Sequence, residues 1–241
     1  MRKYYYDLHT HSCLSPCGDA DNTPNNIAGI ASLSGLNIVA LTDHNSAKNC
    51  PAFFESAKRY GIVPVAGMEL TTSEDIHIVC LFEHLSDAMD FDKEVEGLRV
   101  LVKNKSKIFG EQLIVDSFDN VIAEEEHLLL NATTVSIVDV PDLVRKYNGV
   151  CYPAHIDRDS NGMIAILGTF PKTPFFKCFE LHDPKNLSEY KSKYDLHDKI
   201  AIISSDAHYL TDINDGENYF EIDDEPYSSE LVRKKLFEIL R

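Results

Sequence analysis

Tyr4-Tyr5-Tyr6-Asp7-Leu8-His9-Thr10-His11, close to the start of the chain, joins a β-forming aromatic run to an aspartate and two histidines. The construction returns at Ile38-Val39-Ala40-Leu41-Thr42-Asp43-His44-Asn45, and again at Ile200-Ala201-Ile202-Ile203-Ser204-Ser205-Asp206-Ala207-His208. Each is an apolar, β-rich stretch that leads into an acid and a histidine. Short apolar runs of this kind suit strands buried on both faces, as in parallel sheets. Parallel strands gather whatever their C-terminal ends carry at one rim, and His with Asp is a metal-binding donor set. The recurrence predicts an α/β fold with a cation-binding mouth.

Helical signals separate the strands. Thr23 reads as an N-cap with Pro24 in the first turn, Ile27, Ile30 and Ala31 continue one face, and Gly35 stops it. A strand from Asn37 to Leu41, a helix from Pro51 to Tyr60 closed by Gly61, and a strand from Ile62 to Ala66 follow. That β-α-β-α-β opening predicts parallel strands with right-handed crossovers. Ile76 to Phe82 reads as a strand, and Ser86 to about Lys107 as one long helix burying Val95, Leu98, Leu101 and Val102. Gln112 to Val115 and Val121 to Glu124 read as a small β-hairpin, inserted near residues 110–130. Ser136 with Asp139 resembles a capping box opening a helix to Tyr147. Val150 to Ala154, Cys178 to Leu181 and Ile200 to Ile203 complete the buried strands. Asn218 to Ile222 is expected at an edge, and Ser229 to Leu240 as a closing helix.

At 241 residues and 44% hydrophobic content, the chain suits one domain over 1–241 with a full core. No stretch reaches the roughly 20 apolar residues of a membrane span, and no signal peptide is visible, so a cytoplasmic location is expected. Six scattered cysteines read as reduced thiols, in keeping with that compartment. The net charge of −16 argues against an extended groove for duplex nucleic acid. Three divalent ions would bring it to about −10 and place positive charge where a substrate docks. A small phosphorylated molecule, or the end of a short single strand, is the expected partner.

His9 and His11, two residues apart on an extended segment, point to one side and can share an ion. Together, His9-Thr10-His11, Thr42-Asp43-His44-Asn45, Gly67-Met68-Glu69, Pro153-Ala154-His155 and Ser205-Asp206-Ala207-His208 resemble the ordered motifs of the PHP (polymerase and histidinol phosphatase) superfamily. The resemblance runs from about residue 5 to 210. It implies a distorted (β/α)7 TIM-like barrel whose trinuclear centre hydrolyses phosphate esters through a metal-bridging hydroxide. Residue by residue, it implies that His9, His11, Glu69 and Asp206 hold a first ion. Glu69 bridges to a second with His77 and His155, and Asp19, His44 and His208 hold a third; Asp21 is the rival of Asp19. Mixed nitrogen and oxygen ligation suits Zn, Mn or Fe. Similar proteins include histidinol phosphatases, nucleotide phosphatases, 5′-3′ exonucleases and polymerase-associated proofreading domains.

Beyond the ligands, Arg158 is the candidate phosphate clamp, with a surface ion pair as its other reading. His182, at a strand end, is a candidate substrate contact or general acid. Asp7 and Asp43 either orient imidazoles or pair with backbone amides. Lys48 is a weaker phosphate candidate, and Cys13 and Cys17 read as packing residues of the ligand loop. His84, His127 and His197 match no motif. Two other readings remain: a non-catalytic metal-stabilised binding module, and a C–N hydrolase of the amidohydrolase type.

Overall fold

A computed structural model describes residues 1–241. The chain opens with β1 (Arg2–Thr10), α1 (Pro24–Leu33), β2 (Ile38–Leu41), α2 (Cys50–Tyr60) and β3 (Val63–Thr71), and the three strands are parallel. The end signals act as read: Thr23 Oγ1 accepts from the Asn26 amide at 3.2 Å, and Gly61 closes α2 with a left-handed φ of 71°. β4 (His77–Phe82) then breaks the parallel pattern, because it runs antiparallel to β3 with His77 opposite Thr71. A parallel return needs a crossover of a dozen or more residues, and only five separate β3 from β4, so a hairpin is the available geometry. The start of β4 therefore stands level with the end of β3.

The single helix expected from Ser86 to Lys107 is not what forms. α3 (Leu85–Glu96) stops at Gly97, whose amide bonds back to the Glu94 carbonyl. Beyond it Arg99 pairs with Thr133 and Lys103 with His127 as isolated bridges, and Leu101 and Val102 are exposed, not buried. Glycine followed by the β-branched Val100 and Val102 disfavours continuing the helix. A short α4 (Ser106–Phe109) precedes the hairpin of β5 (Leu113–Val115) and β6 (Val121–Glu124), which lies where expected. This insertion leans on the loop after β1: the Leu113 amide bonds to the Cys13 carbonyl at 2.8 Å. Gly110, at φ 101°, leaves no space for a side chain against the Pro16 carbonyl.

The capping box at Ser136 also does not form. α5 (Val140–Lys146) starts four residues later, and the Ser136 hydroxyl donates instead to Glu74 Oε1 at 2.6 Å. β7 (Val150–Pro153), α6 (Met163–Leu167), β8 (Cys178–Leu181), α7 (Leu187–Lys193), β9 (Ile200–Ile203), β10 (Tyr219–Ile222) and α8 (Ser229–Leu240) follow. The main sheet has the order β10-β1-β2-β3-β4-β7, and β8 pairs with β9 in parallel. The curl closes at both seams. The Ile156 amide bonds to the Glu180 carbonyl at 2.9 Å, joining β7 to β8, and Thr10 bridges Ala207 beyond β9. The result is a distorted α/β barrel of the TIM-like kind, with β4 reversed and β10 on an edge.

Alternate strand residues, among them Tyr6, Leu8, Ile38, Ala40, Val63, Val65, Val79, Leu81 and Tyr152, fill the barrel interior. α8 plugs one end with Val232, Leu236 and Leu240, spaced four apart, and Phe237. A second core joins the outer faces of the strands to α1, α2, α3 and α5. No helix is long and apolar enough to cross a membrane.

Candidate metal centre

The inner face of β3 carries Val63, Val65, position 67 and Glu69, so the pleat that fills the core with valine delivers a carboxylate two steps later. Gly67 leaves the approach open, since a Cβ there would meet the Cys80 carbonyl and Thr42 within 2.8 Å. Glu69 is completely buried, and imidazoles ring it. Its Oε1 lies 2.8 Å from His77 Nδ1, 3.1 Å from His155 Nε2 and 3.3 Å from His9 Nε2. Its Oε2 lies 3.0 Å from His44 Nδ1 and 3.3 Å from His11 Nε2. Asp206 Oδ1 adds contacts of 3.1 Å to His11 and 3.3 Å to His9.

Donor atoms converge in three groups: His9, His11, Glu69 and Asp206; His44, Glu69 and His77; His11, His44 and His208. The first matches the expected set. The second has His44 beside Glu69 and His77, with His155 reaching Glu69 from the other side. The third lacks Asp19, whose Oδ1 accepts from the Asp21 amide at 2.8 Å while its own amide bonds to the His208 carbonyl at 2.9 Å. Asp21 is exposed. His155 and Asp206 hold left-handed φ angles of 25° and 51°, a conformation that costs a non-glycine residue free energy and recurs where function fixes the backbone.

This donor set fits divalent ions. His44 Nδ1, Glu69 Oε2, His155 Nδ1 and Asp206 Oδ1 are buried without a hydrogen-bond partner, although two of them lie 3.0 Å apart. Three of them, on His44, Glu69 and Asp206, face the centre, and this would be expensive unless they point at cations instead of at each other. His9 Nε2 and His11 Nε2 likewise face one another at 3.1 Å.

Protons compete for the same atoms. Burial opposes a charged His11 ring, but the neighbouring Asp206 and Glu69 carboxylates overcome it and lift its pKa to about 9. Burial likewise opposes a charged His44, and Glu69 raises it to about 9. His9 rises too, against burial, under the pull of Glu180, Asp206 and Glu69. Burial and the neighbouring His11 press His208 down to about 3. Burial works to raise Glu69 and Asp206, yet the surrounding imidazoles hold both well below the usual carboxylate range.

Sequence reasoning missed Glu180. It is buried, accepts from His9 Nδ1 at 2.9 and 3.1 Å, and also accepts the His155 amide at 3.1 Å. An acid interrupting the apolar strand Cys178-Phe179-Glu180-Leu181 was its only signal. Asp43 acts through Ser15, whose hydroxyl lies 2.7 Å from Asp43 Oδ1 and 2.9 Å from His11 Nδ1. With both Nδ1 atoms occupied, His9 and His11 turn Nε2 to the centre. Asp7 serves the backbone, accepting from the Ser205, His9 and Asn214 amides.

Arg158 stands at the rim with Nη1 2.5 Å from Asp206 Oδ2 and Nη2 3.2 Å from His182 Nδ1. It lines a wholly polar cavity of about 130 Å³ with His44, Glu69, His77, His155 and His208, while His182 stays outside it. Lys48 is taken up by Glu125 at 2.5 Å and Glu96 at 3.2 Å. Cys13 is buried and Cys17 exposed, and both are free thiols.

Comparisons with known proteins bear on the family and the fold. A PolC-type DNA polymerase III from Listeria welshimeri is 28% identical over 145 residues, which is 56% of this chain and 10% of the polymerase. The chain thus matches about a tenth of that relative's length. Among solved structures, the lesion-specific endonuclease Q of Pyrococcus furiosus superposes with a TM-score of 0.65 at 18% identity, covering 99% of this chain and 56% of that one. A protein from Bifidobacterium adolescentis, provisionally described as a metal-dependent phosphoesterase, superposes with a TM-score of 0.60 at 16% identity, covering 97% of this chain and 96% of its own. The profile of the PHP domain matches residues 7–168. The chain belongs to the PHP domain family, a class of metal-dependent hydrolases of phosphate esters.

Proposed function

We propose that this protein hydrolyses a phosphate ester at a site holding three divalent ions of the Zn, Mn or Fe kind, within one catalytic domain over residues 1–241. The observation that carries this reading is Glu69, a buried carboxylate with five imidazoles on its two oxygens. His9, His11, Glu69 and Asp206 would hold one ion, Glu69 with His77 and His155 a second, and His44 with His208 a third, with Asp19 as its carboxylate. When bound, ions in such a site make water acidic near neutral pH and neutralise phosphoryl oxygens.

The remaining steps belong to the protein's own side chains. Glu180 and the Asp43–Ser15 pair keep the His9 and His11 rings turned inward. Arg158 offers its guanidinium to a phosphoryl oxygen at the cavity edge. Water adds to phosphorus, the bond to the leaving oxygen breaks, and His182 or solvent returns a proton to the alkoxide. Alcohol and inorganic phosphate are the products.

The polymerase and endonuclease relatives point toward nucleic acid, whereas a polar cavity of about 130 Å³ suits one phosphoryl group and little else. A small phosphorylated molecule or the terminal phosphate of a single strand satisfies both. Metal analysis of the purified protein, followed by turnover of p-nitrophenyl phosphate and a 5′-phosphorylated oligonucleotide, tests the reading. Hydrolysis that disappears with a chelator and returns with Mn or Zn is expected. Inert esters with the ions bound would rule out the catalytic role.

A further inference from the structure

The phosphoryl cavity is lined by no hydrophobic residue and at about 130 Å³ holds little beyond one phosphoryl group, so the rest of a substrate must lie elsewhere. A second concavity of about 380 Å³ is lined by Tyr209, the chain neighbour of His208, and by Asp19, whose amide bonds to the His208 carbonyl at 2.9 Å. One wall is the loop after β1, including Pro16. The other is the insertion, which supplies Ser106, Glu111 and Leu113. Tyr209 closes the groove next to the candidate ligand His208, with 52% of its surface exposed. The insertion is held against the ligand loop by the Leu113–Cys13 bond and by the close approach of Gly110 to Pro16.

We propose that this groove is the leaving-group subsite, and that it selects a planar ring bearing N–H or O–H donors and no further phosphate. This deepens the hydrolase reading above and rests on it. An exposed tyrosine face offers stacking to any flat ring. Ser106 and Glu111 offer acceptor oxygens, which suit ribose hydroxyls or ring amino groups. The Glu111 carboxylate repels additional phosphates, so a nucleoside monophosphate fits where a triphosphate or an extended strand does not. Hydrolysis there gives the nucleoside and inorganic phosphate.

The test uses the metal-loaded protein with AMP, glycerol phosphate, ATP and a short 5′-phosphorylated oligonucleotide. AMP is expected to have the highest kcat/KM. Tyr209→Ala is expected to raise the KM for AMP about tenfold and to narrow the gap in kcat/KM between AMP and glycerol phosphate. Glu111→Lys is expected to narrow the gap between AMP and ATP. Equal efficiency on AMP and glycerol phosphate overturns the subsite while sparing the hydrolase. So does a Tyr209→Ala defect shared by both esters, or ATP or oligonucleotide turnover matching that of AMP. If none of the esters is cleaved with the ions bound, the subsite and the hydrolase fall together.

Discussion

The two ends of the barrel are built from the same strands and could hardly differ more. At the α8 end, Tyr6, Val63, Val65, Leu81 and Tyr152 meet Leu236 and Phe237 in an apolar plug. At the opposite rim, four residues beyond Val65 on the same face of β3, Glu69 sits among histidines with unpartnered donor atoms and left-handed backbone nearby. One end gains stability from burying carbon. The other gives stability up, because buried charges and strained residues oppose folding until a ligand compensates them. The plug sustains the frustration at the rim, so perturbing each end should have a separable signature.

The largest effect is expected from emptying the plug. Phe237→Ala should cost about 3–5 kcal/mol in denaturant unfolding and leave the metal content of the folded protein unchanged. Loss of bound metal from the folded variant would mean that the ends are not separable.

Next comes the support of the rim. Glu180→Gln keeps an acceptor beside His9 but removes the charge, and should weaken metal affinity by about 10–100-fold with little change in unfolding free energy in the presence of chelator. Unchanged affinity would demote Glu180 to a structural residue.

The smallest and most diagnostic effect is in pH. His11 and His44 have folded pKa values of about 9, raised from an ordinary value near 6.5. Their contribution to the stability of the chelated protein is therefore complete below about pH 6.5 and disappears as pH rises toward 9. Glu69 and Asp206 are depressed, so their contribution is present above about pH 4 and is lost in stronger acid. Melting curves of chelated protein should fall between pH 6.5 and 9, whereas metal-loaded protein stays level because ions replace the protons. Parallel curves for the two forms would contradict the proposed exchange.

Much of this contrast was readable in one dimension. The strand-then-ligand runs at Tyr4–His11, Ile38–His44 and Ile200–His208 needed only local alternation and spacing, as did the caps of α1 and α2. The failures share a cause. Helix continuation past Glu96 looked plausible from apolar periodicity, but bridges from Arg99 and Lys103 to residues about 25–35 positions later, plus Gly97, decided otherwise. Ser136 looked like a capping residue until Glu74, 62 positions earlier, claimed its hydroxyl.

By itself, the sequence determined which segments become strands, that histidines and acids crown them, and that Glu69 follows the third apolar run. These follow from the two-residue pleat and from side-chain chemistry, both local properties. Only the tertiary structure decided that β4 reverses to set His77 against Glu69, that Glu180 crosses the barrel to orient His9, and that the insertion walls a groove beside His208. Those outcomes depend on strand direction and on partners distant in the chain, which are settled when the barrel closes and its buried polar groups must all be answered at once.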